Sequence, residues 1–264
     1  MLILNEEQYA KNLYDGKNTE VKSIMSKIRY ITRYLVHSES KDDDEAYKLS
    51  VAWLKKHHDN FDESCYSNVI SDAIKKASKY PFYVIDNIVI TQSELNAISS
   101  LNNLRAEKVL FVLLCMAKQQ RLSNGFTNGL VKYSITELCK LARISVPADD
   151  REYILYEIVK SGLLGYPKKN NTQCLIVNFI DTNDVVLELD ENDCQELAYV
   201  YLSWKNNGNG YTRCQRCNRI MKQSKTKPKK YCEKCAKEVE REQTRERVRR
   251  YREKCNGNLT QQND

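Results

Sequence analysis

The chain has 264 residues, 41% of them hydrophobic, with 42 Lys and Arg against 35 Asp and Glu for a formal net charge of +7. That apolar content is enough to bury a core, so a folded protein of one large or two small domains is expected rather than a disordered one. No basic, apolar leader follows Met1, and the longest apolar run, residues 109–117, falls far short of the roughly 20 residues a membrane-crossing helix needs; the expectation is a soluble, cytoplasmic protein with no membrane partner.

Residues 1–87 read as a helical N-terminal region. Asn5 is placed to cap a helix that runs to Tyr14. In residues 20–37, Val21, Ile24, Met25, Ile28, Ile31 and Leu35 recur near helical spacing, and further helices follow Asp42 and Asp62. The run Asp42-Asp-Asp-Glu45 complements the positive end of its helix, a structural role rather than a metal site. His57 and His58 are neighbours, so on a helix their side chains diverge by about 100° and do not chelate one ion. His37 has no Cys or carboxylate pattern around it.

Residues 88–205 change character. A short apolar stretch, Ile88-Val-Ile90, meets Thr91, which with Glu94 forms a capping box for a helix towards Leu101. The helix of residues 105–118 is apolar nearly all round and should be the buried centre of its domain. Ser134 and Glu137 form a second capping box for a helix to Ala142, a tight turn leads to a helix through Ser161, and Gly162 stops it. A hairpin follows, with Leu163-Leu-Gly-Tyr166, a turn at Lys168-Lys-Asn-Asn171 and an apolar strand over residues 174–179. This order of elements resembles the winged-helix family over about residues 91–180, with residues 134–161 as its helix-turn-helix. Such a resemblance implies DNA binding through the second of those helices. Here that helix carries Asp149, Asp150, Glu152 and Glu157 against Arg151 and Lys160, a charge that repels phosphate. Only Lys168 and Lys169 at the hairpin tip offer cationic contacts, so the unit reads equally as a DNA reader or as a scaffold and protein-contact surface. A strand over residues 185–189 and an amphipathic helix over residues 192–204 complete the region.

Residues 206–211 read as a linker, because Asn206-Asn-Gly-Asn-Gly210 offers little surface to bury. Beyond it lies a zinc module, residues 212–255. Cys214-Gln-Arg-Cys217 and Cys232-Glu-Lys-Cys235 are two Cys-x2-Cys pairs; each can turn two sulfurs towards one ion, and together they complete the tetrahedron that Zn2+ favours. With four protein ligands the metal has no open position, which makes its role structural. Arg213, Arg216, Lys230 and Lys234 favour the thiolate forms. The other cysteines, Cys65, Cys115, Cys139, Cys174, Cys194 and Cys255, read as reduced core thiols. The second pair opens a helix over residues 232–254, so the module resembles a zinc ribbon or treble clef, and four-cysteine knuckles followed by Arg-rich helices resemble those of small regulatory and replication proteins of bacteriophages and mobile elements. Residues 256–264 read as a disordered tail.

The fold class expected is therefore mainly α (α+β): a helical N-terminal region, a winged-helix-like domain and a four-cysteine zinc module with a long basic helix. Charge concentrates in that module. Residues 211–255 hold 17 Lys and Arg against 6 Asp and Glu, or +11, whereas residues 1–210 carry −3. Lys222, Lys225, Lys227, Lys229 and Lys230 lie between the cysteine pairs, and Arg241, Arg245, Arg249 and Arg252 fall on one helical face. A row of this kind tracks phosphates, DNA or RNA. The competing reading is a solvated helix held by Glu238/Arg241, Glu242/Arg245 and Glu246/Arg250 pairs. No phosphate-binding Gly loop, nucleophile elbow or metal-associated carboxylate pair is present in the sequence, and a non-enzymatic nucleic-acid-binding regulator or replication accessory protein is the expectation. The alternative is a protein-interaction module, such as a viral inhibitor of a host nucleic-acid enzyme.

Overall fold

In the computed structural model, which describes residues 2–17, 23–125, 128–168, 174–224 and 226–260, the N-terminal region is built of four helices, three of which, all but the second, begin at a side-chain cap. The four are α1 (Glu6–Tyr14), α2 (Ile24–Arg33), α3 (Asp43–His57) and α4 (Glu63–Ala77). Asn5, Asp42 and Asp62 accept from the backbone N–H of Gln8 at 2.8 Å, Glu45 at 2.8 Å and Ser64 at 2.9 Å, satisfying donors that the first helical turn leaves open. The start foreseen for the second helix, residues 20–22, lies outside the described residues. Its end differs from a plain α-helix: Tyr34–Ser38 is a π turn, closed by the Glu39 N–H donating to the Tyr34 carbonyl at 3.2 Å and the Tyr34 hydroxyl donating to Glu39 at 2.7 Å. The four helices bury their own core of Leu13, Ile28, Ile31, Leu35, Leu54 and Ile70. Cys65 does not join it. It sits on the exposed side of α4, beside the Asp62 carboxylate, so the expectation of a core thiol is corrected there, while Cys115, Cys139, Cys174 and Cys194 are buried.

A second core surrounds α6 (Leu104–Asn124), whose residues 109–115 are all buried. Strand β1 (Ile88–Thr91) leads into α5 (Gln92–Ser99) through the Thr91/Glu94 capping box. After α6 come β2 (Leu130–Lys132), α7 (Ile135–Leu141), α8 (Ala148–Lys160), β3 (Leu164–Gly165) and β4 (Cys174–Val177). The last strands form an antiparallel sheet in the order β2-β4-β3. Strand β2 was not foreseen, being three residues with no alternation to read. Gly129 makes it fit: at φ 64° its carbonyl accepts from the Val177 N–H at 2.9 Å, and a Cβ would stand 2.4 Å from the Val177 carbonyl oxygen. The second capping box is a correction, since α7 starts at Ile135 as expected but Ser134 makes no side-chain bond there. β5 (Val185–Leu189) returns to pair antiparallel with β1, Ile88 opposite Leu189. A 3-10 turn, Asp193–Gln195, then precedes α9 (Leu197–Lys205).

The C-terminal module is a hairpin of β6 (Tyr211–Arg213) and β7 (Ile220–Lys222), a loop, and α10 (Glu233–Thr260). Residues 206–211, read from the sequence as a linker, are folded back on α9. Those residues form consecutive tight turns with Asn207 at φ 51°, Gly208 at 79° and Gly210 at 82°, and the Gly208 N–H donates back to Ser203 at 2.7 Å. The same Asn/Gly content that looks flexible in sequence is what left-handed turn positions require. Ile220 enters the main core, Tyr211 packs on Tyr199 with ring centroids 5.8 Å apart, and Arg213 makes two bonds to the buried Asp193 at 2.9 and 3.1 Å. Helix α10 continues to Thr260, so helix replaces the tail expected from residue 256 up to that point, and residues 261–264 lie outside the described residues. The chain is mainly helical with some strand, and among the described residues no helix is long and apolar enough to cross a membrane.

Candidate metal centre and nucleic-acid interface

The hairpin of β6 and β7 carries its first cysteine pair in the turn. The Cys214 N–H donates to the Arg219 carbonyl at 2.9 Å, and the Asn218 N–H, from a residue at φ 58°, donates to the Cys214 carbonyl at 2.9 Å. This closes a tight knuckle. Cys232 stands at the entrance to α10, its carbonyl accepting from Ala236 at 2.8 Å, and Cys235 lies in the first turn. The four Sγ atoms come within 4.8 Å of one another, with Cys214 and Cys235 buried. The Cys217 and Cys232 sulfurs are 3.7 Å apart, which matches the edge of about 3.8 Å for a tetrahedron built on Zn–S bonds of about 2.3 Å. A four-cysteine cluster able to coordinate a metal is therefore present near the C-terminus.

The polarity of this cluster comes from the backbone. Burial acts to raise the Cys214 thiol, but the N–H groups of Cys217, Cys232 and Arg216 outweigh it and bring the thiol down to about 6. Cys217 is held above the ordinary thiol range by burial first, and Cys235 by burial and then by its three sulfur neighbours. The Cys214 thiolate is thus favoured, while the thiolates of Cys217 and Cys235 are disfavoured without a cation. The arginines expected to assist the thiolates have other partners: Arg213 holds Asp193, and Arg216 grips Glu242 at 2.7 and 2.8 Å and approaches Glu238 at 3.8 Å.

That grip matters for the basic helix. Of the three pairings that would make α10 a self-satisfied solvated helix, only Glu246/Arg250 forms, at 3.0 Å. Glu238 and Glu242 turn to Arg216 instead, so Arg241 and Arg245 carry no ion pair among the described residues. Arg249 is shared between Glu246 and Glu253, and Arg252 is exposed. Val248 and Tyr251 stand exposed on α10, whose 28 residues run about 40 Å at 1.5 Å per residue.

The lysines divide. Lys227 and Lys230 are exposed on the loop between the pairs, Lys222 lies on β7 and Lys229 on the loop's return. Lys225 is outside the described residues. On the β3–β4 connection Lys168 is exposed beside the exposed Tyr166, and Lys169 is outside the described residues. Lys222 and Lys229 line a groove between the hairpin and α9, together with Arg143, Arg219, Tyr199 and Tyr231. The sequence did not point to Arg143: it follows α7 in a turn, at φ 49°, and only the fold brings it to α9, where its guanidinium lies 4.3 Å from the Tyr199 ring centre and bonds Glu196. No protein-family model, no curated protein and no solved structure matches the chain.

Proposed function

We propose that the cluster of Cys214, Cys217, Cys232 and Cys235 holds one structural Zn2+ and that the module it stabilises binds nucleic acid. The hairpin knuckle followed by a second pair at a helix start fits a treble clef. The succession α6, β2, α7, α8, β3, β4, with β4 central in its sheet, supports a winged-helix-like middle domain that acts as a scaffold. The protein is then a non-catalytic, cytoplasmic regulator or replication accessory factor of the kind bacteriophages and mobile elements carry. The observation that carries the binding reading is the pairing of Glu238 and Glu242 with Arg216, which leaves Arg241 and Arg245 exposed and without an ion pair among the described residues.

The test is salt dependence. Contacts to about five phosphates give log K against log salt a slope of about −4 to −5 on duplex DNA. Arg241→Gln, Arg245→Gln and Arg249→Gln together should make it shallower by about 2 to 3 units, with the fold unchanged because the three residues are exposed and the Arg249 ion pairs are surface pairs within α10. Equal binding by parent and variant at every salt concentration would reduce α10 to a solvated face. One feature favours a second, protein-binding surface: α8 exposes Asp149, Asp150 and Glu152 beside Tyr153 and Tyr156, an acidic and aromatic face suited to a protein rather than to phosphate.

A further inference from the structure

The groove between α9 and the β6–β7 hairpin has a volume of about 610 Å³, within the range of about 300 to 1,000 Å³ of small-molecule sites. Its lining brings Arg143, Arg219, Lys222, Lys229, Lys234 and Lys237 together against only Glu196 and Glu233. The two carboxylates are already engaged, Glu196 by Arg143 and Arg219 and Glu233 by Lys237 at 2.9 Å. Lys222, Lys229 and Lys234 make no ion pair among the described residues, and all three are exposed residues of the groove lining. A four-thiolate zinc centre at the groove's edge, through Cys232, would carry −2 and leave the lining net positive. The Nε of Arg219 is buried with no hydrogen-bond partner. Among these cations sit two half-buried tyrosines, Tyr199 and Tyr231.

Cations that follow a backbone, interleaved with aromatic rings on which bases stack, are the combination that holds a single strand without regard to sequence. We propose that this groove grips a short stretch of single-stranded nucleic acid, separately from the face of α10 that lies along a duplex. Lys222, Lys229 and Lys234 take successive phosphates, and Tyr231 offers a ring to a base. An acidic polypeptide would satisfy the lysines but leave the Tyr231 ring unused. The inference rests on the nucleic-acid reading of the module and specifies which strand form the groove takes.

Fluorescence anisotropy with a labelled oligothymidylate and, separately, a labelled duplex tests it on the full-length, zinc-loaded protein. The groove variant combines Lys222→Gln, Lys229→Gln and Lys234→Gln; retention of its zinc is checked first, because Lys234 lies between two ligands, and if zinc is lost Lys222→Gln with Lys229→Gln replaces it. The expected result is at least a tenfold loss of affinity for the single strand, a salt slope shallower by about 2 units at about 0.7 per contact, and duplex affinity within threefold of the parent. Equal loss on both nucleic acids, or no loss on the single strand, overturns the groove while leaving the helix reading standing. Failure of the parent to bind either nucleic acid overturns both. Displacement of the oligothymidylate by polyglutamate at matched charge concentration as readily as by unlabelled oligothymidylate would assign the groove to an acidic protein instead.

Discussion

Glu94 is fully buried and yet carries a complete set of partners. Its carboxylate accepts from Lys118 at 2.7 Å, from the Thr91 N–H at 2.9 Å and from the Asp181 N–H at 2.8 Å, and Lys118 also donates to the Val89 and Asp181 carbonyls at 2.7 and 3.0 Å. One ion pair thus ties β1, α5, α6 and the turn before β5. Lys118→Met removes the cation and leaves a buried carboxylate unmatched, a change that costs about 3 to 5 kcal/mol; urea unfolding followed by far-UV dichroism should show it, and adding Glu94→Gln should recover part of the loss. A midpoint unmoved by Lys118→Met would mean that water reaches Glu94. At the cysteines the arithmetic is simpler. Cys232→Ser should take metal content from one equivalent per chain to near zero, measured on protein purified without added zinc, and full retention would rule out the four-sulfur assignment. Uptake of the ion displaces thiol protons, so binding weakens as pH falls.

Among the elements, those with local chemistry at their ends were legible in the sequence. Asn5, Asp42, Asp62 and Thr91 each announced a helix that the fold contains, because a cap is a bond between residues two or three apart. The knuckle pairs were legible for the same reason. What stayed hidden depends on partners far along the chain: β2 exists through β4, β1 through β5 nearly a hundred residues later, and the groove through the approach of Arg143 to Glu196. The linker segment is ambiguous for another reason. Asn and Gly at residues 206–210 signal left-handed backbone, and a tight turn and a slack tether both use it; only the burial of Ile220 and Asp193 separates the two.

For the whole molecule this docking joins the C-terminal module to the main core. Asp193 is 4% exposed at the side chain and is matched by Arg213, while Glu196 is held by Arg143 and Arg219. Ending the chain after residue 205 would strip Asp193 of its cation and bare the apolar surface under Ile220 and Tyr211. Such a fragment should melt at least 5 °C below the full-length protein or aggregate, as read by scanning calorimetry. Chelation of the metal should lower the same transition rather than produce a separate small one. A fragment as stable as the parent would mean that the module docks without contributing to the core.

The grip of Arg216 on two turns of α10 also has a mechanical side. The knuckle is the fulcrum of a lever whose long arm is the distal helix, and Arg216 is the brace that sets its angle. Over about 40 Å of helix, a swing of ten degrees at the fulcrum moves the tip by about 7 Å. The direction in which the arginine row points is therefore governed by a guanidinium held next to the sulfurs, and loss of the ion would let the arm wander even where every turn of the helix survived.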